Sequence, residues 1–224
     1  AAERAQEIQI LADIAAEESE EEFVLEFTRK GYVRRSSAKA YGRRKNKQTP
    51  THKALEDFDD VTLQTEVTNP IQEVLVLTRD GKAFTVLVGD IPIAQRQNKG
   101  VPLISCLPNA VDNPDDVITQ IVLTEERLSQ QLILVTAQGK VKRLPTEEMT
   151  SISGRGLTAV KLKGDDTLKF AFTAELGEDL VLASSGGRLL RFRINEDQLP
   201  EMSRTAQGPQ GIRLPKSEHL VGCV

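Results

Sequence analysis

The sequence predicts an all-β protein of propeller-like blades, and three observations carry that reading: a gap-free internal repeat, a glycine at one fixed place in every copy, and short apolar strands before it. Four segments align without gaps: LEFTRKGYVRR from Leu25, LVLTRDGKAFT from Leu75, ILVTAQGKVKR from Ile133 and VLASSGGRLLR from Val181. Their glycines, Gly31, Gly81, Gly139 and Gly187, lie 50, 58 and 48 residues apart, the period of a propeller blade.

Each aligned segment reads as a β-hairpin. Three residues before the glycine stands Thr28, Thr78, Thr136 or Ser184, a hydroxyl able to bond nearby backbone and start a tight turn. The glycine then supplies the φ > 0 position of a type I turn with a bulge. The first strand is nearly continuous in apolar residues, as in Val74–Leu77 and Leu132–Val135, which predicts burial on both faces. Four positions after the glycine stand Arg35, Thr85, Arg143 and Arg191, so a cation recurs at one place in the second strand. A glycine with a following apolar run opens a third strand at Gly100, Gly156 and Gly211. An acidic turn at Asp59, Asp115, Asp165 and Glu218 opens a fourth. About four strands per unit is the content of a propeller blade, and at least four blades follow from the count. The last strand, HLVGCV, runs to the final residue, so the domain is expected to be truncated at its C-terminal end.

Residues 1–22 differ. Ala5, Ile8, Leu11, Ala12 and Ala15 recur at helical spacing, and eight acids against Arg4 give the segment a net charge of −7. A short acidic helix or linker from a preceding domain is expected here, with the repeat domain over residues 23–224. The whole chain carries −4, so the repeat domain is mildly basic at +3, and overall charge is a poor guide to what its surface binds. No stretch reaches the ~18 apolar residues of a membrane helix, and no signal peptide is recognisable. Cys106 and Cys223 have no CxxC spacing and read as buried thiols of a reducing compartment; His52 and His219 lie far apart without ligand-like neighbours, so a metal site has no support.

Among repeat families, the absence of Trp excludes the WD dipeptide, and only Gly186–Gly187 offers the glycine pair that kelch blades need. The segments FTRKGYVRR, GRRKNK, LPNAVDNPDDVITQI, AQGKVKR and GPQGIRL, in that order, instead resemble the C-terminal domain of the gyrase A protein of DNA gyrase and of its paralogue in topoisomerase IV. The resemblance spans residues 23–224 and implies a β-pinwheel, a propeller-like ring of hairpin-exchanging blades whose basic rim wraps duplex DNA. It also implies a diagnostic basic loop in the first blade, the gyrase-A box QRRGGKG. Residues 42–48, GRRKNKQ, keep its cations at Arg43, Arg44 and Lys47. They replace its leading Gln by Gly42, its paired glycines by Lys45 and Asn46, and its last glycine by Gln48. The segment QRQNKG at residues 95–100 is a shorter echo that reads as an ordinary blade loop.

Sequence-neutral wrapping needs separated cations on one surface, because each neutralised phosphate releases condensed counterions, while sequence enters mainly through the cost of bending. The candidates are Arg43, Arg44, Lys45 and Lys47 of the box; Arg34, Arg35 and Lys39 beside it; Arg96 and Lys99 in the second blade; Lys142, Arg143 and Arg155 in the third; and Arg191, Arg193 and Arg204 in the fourth. For any one cation outside the box and the repeated post-glycine position, a solvated or ion-paired surface is the simpler reading. The recurrent aspartates read as turn residues, not metal ligands.

Strand cleavage in the resembled family uses a tyrosine, usually after an arginine, whereas Tyr32 follows Gly31 and Tyr41 follows Ala40; no P-loop is present either. The fragment is therefore expected to be non-catalytic and to hold no cofactor. By the resemblance, ATP and Mg²⁺ belong to the parent enzyme, in which two gyrase A proteins dimerise and join two gyrase B proteins in the bacterial cytoplasm, at the nucleoid. Two other functions fit the sequence: a topoisomerase IV domain, which binds DNA with weak wrapping, and a propeller used as a protein-interaction scaffold.

Overall fold

The computed structural model describes residues 21–47, 60–95, 99–107, 111 and 113–224. Residues 1–20, most of the expected acidic helix, lie outside the described residues, as do Asp59 and Arg96. Two compact units are present: the described part of Ala1–Glu73 with Val86–Pro114, and Val74–Thr85 with Asp115–Val224.

The four hairpins are β1 (Phe23–Thr28) with β2 (Tyr32–Ser37), β4 (Glu73–Thr78) with β5 (Lys82–Leu87), β8 (Gln131–Thr136) with β9 (Val141–Pro145), and β12 (Asp179–Ser184) with β13 (Leu189–Arg193). Every turn closes as the repeat predicts. The glycine N–H donates to the carbonyl of the hydroxyl residue three before it, at 2.9–3.0 Å. Gly31, Gly81, Gly139 and Gly187 have φ of 79°, 78°, 80° and 79°, where a Cβ is costly. The hydroxyls of Thr28, Thr136 and Ser184 accept from the N–H of Tyr32, Lys140 and Arg188, each at 3.2 Å.

The acidic turn has a sharper role than opening a strand. Its second acid holds the hairpin turn of the same repeat. Asp60 accepts from the Thr28 hydroxyl at 2.8 Å and the Lys30 N–H at 2.9 Å. Asp166 accepts from the Gln138 N–H at 3.0 Å, and Glu218 from the Ser184 hydroxyl at 2.8 Å. In the second repeat the carbonyl of Asp116 does this, accepting from the Arg79 N–H at 2.7 Å. Glu218 thus matches Asp60, Asp116 and Asp166, one position later than the register read from sequence.

The remaining strands show how the repeats exchange. β3 (Thr62–Thr68), β7 (Val117–Leu123), β11 (Leu168–Ala174) and β14 (Leu220–Cys223) pair with the first strand of their own hairpins. The short strand after the later glycine is given to the preceding repeat: β6 (Val101–Pro102) pairs with β2 and β10 (Leu157–Thr158) with β5. Gln210 makes the same bridge to Lys140. The sheet orders are β3-β1-β2-β6, β10-β5-β4-β7, β11-β8-β9 and β13-β12-β14. Close approach explains the glycines at this crossing. A Cβ on Gly100 would lie 2.2 Å from the Val33 carbonyl oxygen, and one on Gly208 would lie 2.3 Å from that of Val141. Gly208, with φ 82°, is therefore the counterpart of Gly100, and the sequence-derived choice of Gly211 is corrected.

Alternation along β8 explains its unbroken apolar run. Leu132 and Leu134 pack with Leu75, Leu77 and Leu144 in one core, while Ile133 and Val135 pack with Leu180, Leu182 and Leu220 in another. None of the four is exposed, and each contributes about 1.5–3 kcal/mol by burial. The fourth hairpin departs from the expectation: β12 alternates buried and half-buried residues, and β13 alternates exposed and half-buried ones.

Candidate functional site

The cationic quartet sits on a helix, α1 (Ala38–Lys47), where the resemblance implies a loop. The local sequence accounts for the change. Ser37 Oγ accepts the Ala40 N–H at 3.3 Å, and Ala38 N–H donates to the Glu22 carbonyl at 3.1 Å, which starts the helix. Lys45 and Asn46 stand where the box has glycines, and both are better helix formers than glycine. Cations in the last turn also complement the helix dipole. Positions 39, 43 and 47 follow one another at four-residue intervals, and Lys39, Arg43 and Lys45 are exposed. Arg44 is not free in the same way: it pairs with Glu26 and lies 5.3 Å from the Tyr41 ring centroid.

The cation four positions after the turn glycine has a different task from the one its repetition suggests. Arg143 is only 1% exposed. Its Nε donates to the Leu199 carbonyl at 2.8 Å, its Nη1 to Gln131 Oε1 at 3.0 Å, and its Nη2 pairs with Glu196. Its own carbonyl accepts the Met202 N–H at 2.9 Å. Arg35, 8% exposed, repeats the arrangement: Nη1 donates to the Val88 carbonyl at 2.8 Å, the carbonyl accepts the Ala94 N–H at 2.8 Å, and the guanidinium lies 4.8 Å from the Phe23 ring. Thr85 does the same with a hydroxyl, accepting the Ile152 N–H at 3.0 Å. The position therefore clamps the segment that follows the next repeat's hairpin. Arg191 instead pairs with Asp179 within its own hairpin and is exposed.

Lys142 is also removed from any ligand surface. Unexposed, it donates from Nζ to the carbonyls of Ala159 at 2.5 Å and Arg204 at 2.6 Å. Burial pulls its pKa down to about 8, Glu148 opposes the shift, and Arg204 adds to it. Lys142 and Arg143 are corrected on this ground, since burial and protein acceptors consume the donors that a phosphate would need; Arg35 is corrected by its burial and its bond to Val88, although its Nε has no acceptor among the described residues. Arg96 and the Lys47 side chain lie outside the described residues, and Arg34 and Arg44 are half-buried. Lys99 and Arg155 are exposed, as are Arg193, 3.9 Å from Asp179, and Arg204, 3.6 Å from Glu148.

Beside α1 the first unit has a cleft of about 430 Å³, lined by Glu26, Arg34, Tyr41, Arg44, Lys45 and Lys99 among others. Glu26 and Arg34 are cross-strand partners, with 3.9 Å between Arg34 Nε and the carboxylate. Arg34 Nε is buried and makes no hydrogen bond among the described residues. Burial and the nearby Arg44 lower the Arg34 pKa, and Glu26 opposes this. Glu26 is the member of this group that repeat-based reasoning misses. Its signal is in the sequence, as the lone charge in the apolar strand FVLEFT. Among the described residues no His, Cys, Asp and Glu group is arranged to hold a metal, and no helix is long and apolar enough to cross a membrane.

Comparison with known proteins fits this architecture. Residues 72–123, 130–175 and 178–224, the second to fourth repeats, match the family described as DNA gyrase C-terminal domain, beta-propeller. The topoisomerase 4 A protein of Synechocystis sp. is 37% identical over 67% of this chain and 17% of its own length. The DNA gyrase A protein of Metamycoplasma arthritidis is 30% identical over 90% of this chain and 22% of its own. The chain thus spans about a fifth of the length of these relatives. A solved C-terminal domain of DNA topoisomerase IV shares the fold, with a TM-score of 0.77 at 22% identity over 91% of this chain and 60% of that one. The chain belongs to the family of DNA gyrase C-terminal, β-propeller domains.

Proposed function

We propose that this domain binds duplex DNA through its backbone phosphates and presents it to the strand-passage machinery of a type II topoisomerase. The observation that carries the reading is α1. It sets Arg43 and Lys45 in solvent at the place of the gyrase-A box, with Lys39 also exposed one turn before them and no base-reading arrangement required. Lys99, Arg155, Arg193 and Arg204 supply further exposed cations. The strand-cleaving tyrosine belongs elsewhere in the parent gyrase A protein. ATP hydrolysis with Mg²⁺ belongs to gyrase B, in an assembly of two A and two B proteins acting at the nucleoid. Duplex affinity measured across salt tests the reading: log K falls linearly with log salt if phosphates are the ligand, and a flat dependence returns the fold to an interaction scaffold.

A specific observation favours a second reading within the same class. The box is helical and lacks its glycines, and the topoisomerase IV relative is the more identical of the two compared. A topoisomerase IV domain binds DNA with weak wrapping and serves decatenation and relaxation. Reconstitution of the complete enzyme on relaxed plasmid separates the two: negative supercoils identify the gyrase, and their absence beside efficient decatenation identifies topoisomerase IV.

A further inference from the structure

The cleft beside α1 holds more than a surface needs for diffuse attraction. Four cations line it, Arg34, Arg44, Lys45 and Lys99, against the carboxylates of Glu26 and Asp60. Asp60 is committed to the Thr28 hydroxyl and the Lys30 N–H. Glu26, 8% exposed, faces two arginines: Arg44 through a hydrogen-bonded ion pair and Arg34 at 3.9 Å. Among the described residues Arg34 thus keeps a buried Nε donor without an acceptor, a costly state that an added oxyanion relieves. Lys99 is held at the mouth by its neighbour, since a Cβ on Gly100 would lie 3.1 Å from the Arg34 Cα; only a glycine lets the chain pass so close. Guanidinium forks match a tetrahedral oxyanion, and two of them with two ammonium groups exceed what the two carboxylates neutralise.

We propose that this cleft is a phosphate site in which Glu26 holds the ligand's place, yielding Arg34 and Arg44 to a phosphate group that Lys45 and Lys99 draw in. The ligand is a backbone phosphodiester of duplex DNA, and that identification rests on the function proposed above. The site itself stands on the geometry of Glu26 and the four cations. Glu26 then works as a gate: a like charge that an arriving phosphate must displace, so that phosphate binds more weakly in wild type than once that charge is removed.

The test uses the full chain with inorganic phosphate as probe, followed by NMR of the arginine Nε–H signals, and then with a short duplex as competitor. Phosphate is expected to shift the Arg34 and Arg44 signals. Glu26→Gln, which removes the like charge and keeps the shape, is expected to raise phosphate affinity roughly tenfold. Lys99→Gln, on an exposed side chain, is expected to lower it several-fold without changing the melting temperature, so the site stays testable even if Glu26→Gln folds poorly. Unchanged arginine signals, or equal phosphate affinity in wild type and Lys99→Gln, overturn the site. Duplex binding that displaces phosphate supports the phosphodiester. Phosphate binding with the expected variant pattern but no duplex binding supports the site and overturns the DNA reading. Duplex binding with silent cleft arginines does the reverse.

Discussion

The cations of the third hairpin and those of α1 look alike in sequence, as the pairs Lys142–Arg143 and Arg43–Arg44 show, yet they have opposite physical fates. On β9 both side chains are buried, and their donors end on Ala159, Arg204, Leu199, Gln131 and Glu196. On α1, Lys39, Arg43 and Lys45 stand in solvent. A basic residue is available to a polyanion only when the protein has not already taken its donors. Strand β9 consumes its two cations, whereas α1 leaves Lys39, Arg43 and Lys45 to solvent and commits Arg44 to Glu26.

Substitutions break the comparison in order of size. Arg143→Leu leaves the Leu199 carbonyl and Gln131 Oε1 without their donor while the exposed Glu196 is taken up by water, and a loss of about 2–4 kcal/mol is expected in urea unfolding, with DNA binding by the surviving folded fraction unchanged. Lys142→Met frees two carbonyls and is expected to cost about 1–3 kcal/mol near neutral pH. Its pH dependence has a definite sign. The folded-state pKa of about 8 lies below the ordinary 10.5, so between these values the unfolded chain binds more protons, and the Lys142 contribution to stability rises with pH. Wild type is therefore expected to gain on Lys142→Met as pH climbs from 8 to 10.5, read as the difference in urea midpoints at each pH. Arg191→Gln, at the same repeat position as Arg143 but exposed, is expected to leave the melting temperature unchanged.

Sequence alone carried much of the fold because its signals were local. Gly31, Gly81, Gly139 and Gly187, each three residues after a hydroxyl, marked every hairpin, and the alternating demands of two cores explained the apolar run Leu132–Val135. Strand exchange was less legible. β6 and β10 are two-residue strands whose partners lie in the preceding repeat, so no local periodicity reports them, and Gly208 was hidden behind Gly211 until the backbone approach to Val141 was visible. The site was half legible. Repetition of Arg35, Arg143 and Arg191 suggested a ligand, but repetition cannot distinguish a shared ligand from a shared neighbour. Thr85 at that position was the clue, since a hydroxyl can bond backbone as arginine does but cannot neutralise a phosphate. The box read as a loop because its family pattern has glycines, and replacing them with Lys45 and Asn46 let the helix form.

The central claim is that exposed α1 cations, and not the buried β9 pair, meet the phosphates. Its most direct measurement is the slope of log K against log salt for linear duplex, compared between the wild-type chain and Lys39→Gln/Arg43→Gln/Lys45→Gln. The account predicts a negative wild-type slope that becomes shallower by up to about 3 in the triple variant, with the urea midpoint unchanged. An equal slope in the two proteins, or a wild-type affinity independent of salt, would contradict it.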